Sequence, residues 1–317
     1  MAQKYILILF ILNFNMKQFI KRICAWTLPV LLMVILAEWL LRRIPNDYKL
    51  KVHSYEFHAT EIETLILGNS HAYYDLDPAF FRSKTFNGAQ VAQTLDLDEK
   101  IFFKYENMLT KLKCLIIPIS DMSFFYKLKN SKDNWRLKNY AIYYKINVSN
   151  NIADYSEILS FPFSINRHRL ISYYIDHETA VTSSELGWGS NYSSKVKHDL
   201  NETVSKTVRV HKIDDSRDLP EEKRSLEKII SSCYTRKIKV ILFIPPGYSG
   251  YTSKIDSEQL KITLSTCKHL AAIYSNVYFF DMLNDSLYKA DDYYDADHLN
   301  EIGAKKLSLK MDSIIYH

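Results

Sequence analysis

Ser70, His298 and Asp295 are the residues whose types and settings could carry nucleophilic chemistry. A serine hydroxyl is a weak nucleophile until an imidazole within hydrogen-bond reach takes its proton. A carboxylate beside that imidazole then fixes its tautomer and stabilises the charge it gains. Ser70 closes the run Thr64-Leu-Ile-Leu-Gly-Asn-Ser, where Leu65 to Leu67 have the apolar continuity of a buried strand and Gly68 permits a sharp turn. A serine after a parallel strand and ahead of a helix stands where α/β sheets carry their chemistry. Asp295-Ala-Asp-His298-Leu-Asn300 comes just before a terminal helix, with Asn300 as its N-cap. Each signal is weak alone, because a lone histidine is more often a surface or core residue and Asp-x-x-His recurs by chance. It is the pairing of Gly-Asn-Ser after a first strand with Asp-x-x-His before a last helix that is specific. His71 is a poorer base than His298, since neighbouring side chains on a strand-to-helix turn diverge. It is expected, like Asn69, to support the site or touch substrate.

The elements that must position these residues follow in order. Asp77-Pro78 opens a short helix through Phe81, and Thr85-Phe-Asn-Gly-Ala is a second strand and turn. From Leu95, the spacing of Ile101, Tyr105, Met108 and Leu112 predicts an amphipathic helix, and Cys114 to Ile119 a third strand. The rhythm breaks from about Asp121 to Asp218, a Tyr-, Asn- and Ser-rich stretch that reads as an insertion riding over the active edge. Its tyrosines suit either sugar stacking or local aromatic packing. The alternation resumes with a helix capped near Asp218, a fourth strand from Lys239 stopped by prolines, a helix through Leu260 and Leu264, a fifth strand at Val277 to Phe280, and the terminal helix. Such alternation argues for a parallel sheet with helices on its faces.

The N-terminus is apolar. Ile23 to Leu41 is long enough for a membrane helix, which needs about 20 residues. Lys21 and Arg22 before it nearly balance Arg42 and Arg43 after it, so charge does not set its orientation. No small-x-small cleavage site follows, so an uncleaved anchor over residues 16–44 is preferred to a signal peptide. Residues 1–15 read as an upstream extension or a second hydrophobic patch, and the polar residues 45–60 as a tether to a domain over 61–317, with the insertion at about 121–218.

Composition narrows the classes. An apolar content of 47% with 24% charged residues is that of a globular chain. The net charge of +5 comes from dispersed basic residues without a stripe, so no nucleic-acid partner is expected. Cys24, Cys114, Cys233 and Cys267 form no CxxC pair or even framework, so they read as free thiols, with no zinc site.

On these motifs the chain resembles the SGNH (GDSL-like) hydrolase superfamily, in particular its membrane-anchored bacterial envelope members. Gly68-Asn69-Ser70 resembles the first block, with Asn in place of the commoner Asp, and Asp295-Ala-Asp-His298 resembles the last, which carries acid and base. The resemblance runs from about Glu61 to the C-terminus, leaving out the insertion. It implies a three-layer α/β/α, flavodoxin-like parallel sheet and ester or acyl-transfer chemistry through an acyl-serine, with the backbone N–H of Ser70 as one oxyanion donor. The second block, Asn-x-x-x-x-Gly-x-Thr, lies over Asn87-Gly-Ala-Gln-Val-Ala92-Gln-Thr94 and puts Ala92 where the oxyanion glycine is expected, with Gly88 as a fallback. Asn87 is then a second candidate for supporting the site or touching substrate. The third block, Gly-x-Asn-Asp, is missing. Pro118-Ile-Ser-Asp121 stands there, and an ionised Asp121 would repel an oxyanion. Losing one donor costs about 10²–10³ in rate, unless Ser120 or Gln93 substitutes. The expected protein is therefore a membrane-anchored esterase or acyltransferase facing the periplasm or exterior. It would act on acetyl-type esters of an envelope polysaccharide or glycolipid, need no metal or organic cofactor, and could work with protein partners of an envelope pathway. The rivals are a catalytically quiet SGNH-like scaffold and, less well supported, a flavodoxin-like nucleotide binder, for which no glycine-rich phosphate loop exists.

Overall fold

The computed structural model describes the backbone of residues 2–213 and 215–316, with side chains from Met16 onward. The extension or patch read at residues 1–15 lies outside the residues described with side chains. The chain forms two compact units, Met1–Ile44 with Tyr155–Glu178, and Pro45–Asp154 with Thr179–His317.

The first unit is built on helix α1 (Ala2–Arg43), whose part Met16–Arg43 has a mean hydropathy of 2.0 and the length to cross a bilayer. Two helices from later in the chain, Glu157–Ser160 and Phe163–Tyr174, pack on its C-terminal end.

The second unit runs α2 (Asp47–His58), β1 (Thr64–Ile66), α3 (Ser70–Asp75), β2 (Thr85–Asn87), α4 (Leu95–Tyr105), β3 (Cys114–Pro118) and α5 (Leu137–Ile142). The first unit's α6 (Glu157–Ser160) and α7 (Phe163–Tyr174) come next in the chain. The second unit resumes with α8 (Leu200–His211), α9 (Leu219–Thr235), β4 (Lys239–Ile244), α10 (Ser249–Thr252), α11 (Ser257–Ile273), β5 (Val277–Asp281) and α12 (Glu301–Tyr316). All strand pairs are parallel, in the order β2-β1-β3-β4-β5. The strands read as unbroken apolar runs because both faces are covered. Leu65, Leu115, Ile117, Val240 and Leu242 pack on one face with residues of α2, α4, α9 and α11, while Ile66, Cys114, Ile116, Ile241 and Phe243 pack on the other with α3 and α12. This is the three-layer α/β/α arrangement, and β1 and β3 flank the point where the strand order reverses, where such sheets open a crevice at their carboxyl ends.

Residues 45–60 are not a loose tether. Asn46 caps α2 by accepting from Lys49 N at 3.1 Å, and Tyr48, Lys51, Ser54 and Tyr55 are buried. Polarity misled here because Lys51 is turned inward. Its ammonium donates to the carbonyl of Ala89 and lies 4.5 Å from the Tyr73 ring centroid, and burial holds its pKa well below the ordinary lysine value. The insertion divides between the units. Residues 155–178 join the first, and the rest wraps the second, where Leu186 O accepts from Asn87 N at 2.9 Å and Trp188 Nε1 donates to Tyr74 O at 2.6 Å. Tyr140 and Tyr144 of the insertion belong to the core, so the aromatic-packing reading describes them. Cys114, Cys233 and Cys267 are buried free thiols, each pushed up to about 12 by burial.

Candidate active site

Ser70 is placed by the turn after β1. Gly68 has φ +117°, and a Cβ there would lie 3.0 Å from Pro118 Cδ, so the chain can reverse against β3 only without a side chain. Its N–H donates to Asp98 Oδ1 at 3.0 Å, and burial raises that carboxyl's pKa to about 7. Asn69 caps α3, its side chain accepting from His71 N at 3.1 Å. Ser70 is thereby the first helical residue.

His298 reaches it from the opposite end of the chain. Its Nε2 lies 2.8 Å from Ser70 Oγ, and its Nδ1 lies 3.0 Å and 3.2 Å from the two oxygens of Asp295. Asp295 is itself oriented by the N–H groups of His298 and Asp297, at 2.8 Å and 3.1 Å. The loop is fixed twice over. Asn300 caps α12 through Ile302 N and Gly303 N, and Leu299 N donates to Asp75 Oδ1 at 2.9 Å. Helix α3 therefore carries Ser70 at one end and the anchor for the His298 loop at the other.

Behind the pair lies a buried charge network that sequence reasoning missed. Asp297 Oδ1 is 3.5 Å from His298 Nδ1, and its Oδ2 is 3.3 Å from Nε2 of His211, the last residue of α8. His211 Nδ1 lies 3.2 Å from Asp121 Oδ1 and 2.8 Å from the Tyr251 hydroxyl, which donates to Asp121 at 2.9 Å. Burial alone would depress both imidazoles. The carboxylates outweigh it, Asp295 and Asp297 for His298, Asp121 and Asp297 for His211, and hold each pKa up at about 10. For Asp297, burial is likewise outweighed by His298 and His211, and its pKa falls well below the usual carboxylate range. Asp297 was legible in principle, as the second acid of Asp-Ala-Asp-His, whereas nothing in the local sequence marks His211.

His71 backs the base and does not replace it. Its ring stacks on His298 with centroids 4.8 Å apart, and its nitrogens lie 3.8 Å from Asp75 and from Asp297. Tyr74 and Tyr192 meet His298 edge-on, at 5.7 Å and 5.6 Å, so one insertion tyrosine does reach the site. His71, Asp297 and His298 hold ligand atoms within 4.8 Å of one another, a set chemically able to take a divalent cation, but His298 already spends both nitrogens on Ser70 and Asp295.

The expected oxyanion donors fare differently. Ala92 lines the same cleft as Ser70 with φ +60°, a left-handed conformation held by a residue with a Cβ. Among the described residues, neither the Ser70 N–H nor the Ala92 N–H has an acceptor. Gly88 is excluded as a fallback, because its N–H extends the sheet to Ile66 O at 2.8 Å and a Cβ there would fall 1.9 Å from the Tyr55 hydroxyl. Gln93 is also committed, its Nε2 donating to Asp98 at 2.6 Å and its Oε1 accepting from Tyr140 at 3.1 Å. Ser120 turns away from the cleft and bonds Ser123 Oγ at 3.1 Å. Asn87 is no substrate contact. It is fully buried and ties β2 to α3, its Nδ2 donating to Ala72 O and Leu76 O at 2.7 Å and 2.8 Å. Asp121 faces His211, is not among the residues lining the cleft, and its charge is paired with that imidazole.

The cleft holds about 700 Å³. Besides Ser70, His298 and Ala92, it is walled by both ends of the insertion, including Tyr126, Asn130, Arg209 and Arg217.

No protein-family model matches the chain, and no match is found among curated proteins. Sixteen chains of solved structures match. One, from Streptococcus pneumonia and provisionally described as a platelet activating factor, is 14% identical with a TM-score of 0.43, covering 90% of this chain and 99% of that one. Another, from Bacteroides fragilis and provisionally described as an acylhydrolase, is 12% identical with a TM-score of 0.37, covering 80% of this chain and 86% of that one.

Proposed function

We propose that this chain is a membrane-anchored serine esterase or O-acyltransferase of the SGNH type. The observation that carries it is the Ser70–His298–Asp295 relay, with hydrogen-bond distances of 2.8 Å and 3.0 Å, opening on a cleft where the N–H groups of Ser70 and Ala92 have no acceptor among the described residues. Ser70 Oγ attacks the ester carbonyl carbon and its proton passes to His298 Nε2, while Asp295 holds the imidazolium by Nδ1. The N–H groups of Ser70 and Ala92 receive the oxyanion. Collapse expels the alcohol, which takes the proton from His298 and leaves an acyl-serine. Water, or the hydroxyl of an acceptor, then repeats the steps in reverse order.

The cleft of about 700 Å³ exceeds what a small acyl group fills, which favours an acetyl-type ester on a bulky carrier, an envelope polysaccharide or glycolipid. The length and hydropathy of α1 support a membrane-inserting segment, and the proposal takes it as an uncleaved anchor with the α/β unit in the periplasm or outside the cell. No metal or organic cofactor enters these steps. The quiet-scaffold reading drew on Asp121 in place of the expected asparagine, and the pairing of Asp121 with His211 bears on its charge but supplies no donor.

The test is labelling of the full-length protein in detergent with a fluorophosphonate probe, alongside p-nitrophenyl acetate turnover. Wild type should label and turn over, and Ser70→Ala should do neither. Equal labelling of the two would refute the nucleophile assignment.

A further inference from the structure

We infer that residues 155–178 form a second membrane-contacting element, a short helical hairpin whose tip enters the headgroup layer beside α1. This rests on α1 being a membrane anchor, and the two claims fail separately in the experiment below. Both ends of the hairpin are tied to one turn of α1. At the entry, Glu38 accepts from Ser156 Oγ at 2.9 Å and from Glu157 N and Ile158 N, each at 3.0 Å, while Arg42 Nη2 donates to Tyr155 O at 2.7 Å. At the exit, the Tyr174 hydroxyl donates to Leu40 O at 3.1 Å. Residues 38 to 42 span only about 6 Å of helix at 1.5 Å per residue, at the end of the apolar stretch. The hairpin is thus fastened at the depth where the bilayer's hydrocarbon gives way to headgroups.

The sequence between these ties suits that depth. Ile158-Leu-Ser-Phe-Pro-Phe-Ser-Ile165 contains no charged residue. Leu159 is 61% exposed and Phe163 81% exposed, with Ile165, Tyr174 and Ile175 exposed as well. Apolar side chains gathered at a tip and left to water mark an interaction surface. Here the patch continues directly from the apolar span, and the occupant that already surrounds that span is lipid. Arg167 and His168, both exposed, follow the tip and suit anionic headgroups, while Arg169 is held to Glu157 at 2.7 Å. Glu38 does not oppose this placement, because three donors from the hairpin satisfy its carboxylate where water is scarce.

The experiment is spin-label accessibility in the full-length chain carrying Cys24→Ser, reconstituted in phosphatidylcholine–phosphatidylglycerol vesicles. Nitroxides are attached singly at Leu159→Cys, Phe163→Cys, Leu36→Cys and Lys261→Cys. Leu36 lies in α1, and Lys261 is exposed on α11. The labelled hairpin positions are exposed, so the labels do not disturb packing. The Leu159 and Phe163 labels should be relaxed by oxygen and lose relaxation by a water-soluble nickel chelate, behaving like Leu36 and unlike Lys261. Nickel access at both hairpin positions with a lipid-buried Leu36 overturns the hairpin and leaves the anchor standing. Shielding from both relaxants, as in a contact with a second copy, also overturns it. A water-exposed Leu36 overturns the anchor, and the hairpin with it.

Discussion

The most discriminating perturbation of the site is Asp297→Asn, because its effect has a sign that simple damage would not produce. Asp297 Oδ1 stands 3.5 Å from His298 Nδ1 and adds to Asp295 in holding the imidazole protonated, with the pKa at about 10. A general base must be neutral to act, so the rising limb of kcat/KM against pH should lie well to the alkaline side of an ordinary histidine. A unit charge at that distance interacts by about 4–5 kcal/mol at an effective dielectric of about 20, or roughly 3 pKa units at about 1.4 kcal/mol each. Part of this field is already cancelled by His211, protonated at neutral pH and 3.3 Å from the other oxygen of Asp297. The net shift expected on neutralising Asp297 is therefore about one to two units downward. The assay is p-nitrophenyl acetate hydrolysis from pH 5 to 10, with circular dichroism to show that the variant is folded. At neutral pH, the variant should retain a larger share of its own rate at pH 10 than wild type does. A limb that stays in place, or moves to higher pH, refutes the assignment of Asp297 as a charge acting on His298.

Asp121→Asn should move the same limb the other way. It releases His211 from the carboxylate 3.2 Å away and so leaves Asp297 less compensated, which the same pH titration reads. Ala92→Gly should stabilise the fold by about 0.5–1 kcal/mol, as relief of roughly 1–2 kcal/mol of left-handed strain is partly offset by glycine's freedom in the unfolded chain. Its urea midpoint should rise and its turnover persist, since the N–H remains. Asn87→Ala should cost about 2–4 kcal/mol by leaving the buried carbonyls of Ala72 and Leu76 without their donor, seen as a lower melting temperature. Stability itself should fall as pH rises. His211 and His298 have folded pKa values of about 10 against 6.5 when unfolded, so their contribution is complete below about 6.5 and is lost progressively towards pH 10, which thermal melts across that range would show.

The sheet was legible because its signal is local. Leu65 to Leu67, Cys114 to Ile117 and Val240 to Ile244 are apolar without alternation, and only a strand buried on both faces reads so over a few residues. Ser70 and His298 were legible for a related reason, as each stands at a strand end or a helix start whose turn chemistry marks it. What escaped was settled by contacts far apart in the chain. Lys51 made α2 look like a polar tether because nothing nearby announces that its ammonium ends on Ala89 O. Asn87 stood as a residue either supporting the site or touching substrate, and only the fold shows its amide spent on α3, the helix that begins at Ser70.

Asp121 shows most clearly what a motif comparison omits. Aligned with a block that should hold an asparagine donor, it reads as a lost donor and an added repulsion. In the fold, its charge meets His211 from 90 residues further along, together with the hydroxyl of Tyr251. The segment after β3 thus clasps α8, the insertion helix that ends at His211. That clasp continues through Asp297 to His298, so the insertion is joined to the base as well as to the cleft wall. A site with two backbone donors and a strongly protonated base is poorly suited to rapid hydrolysis at neutral pH, since one missing donor alone costs about 10²–10³. The base must take a proton from Ser70 before any acyl-serine forms, and from water or an acceptor hydroxyl before it breaks down. The buried network therefore acts equally on the two chemistries proposed for Ser70, through the charge state of His298.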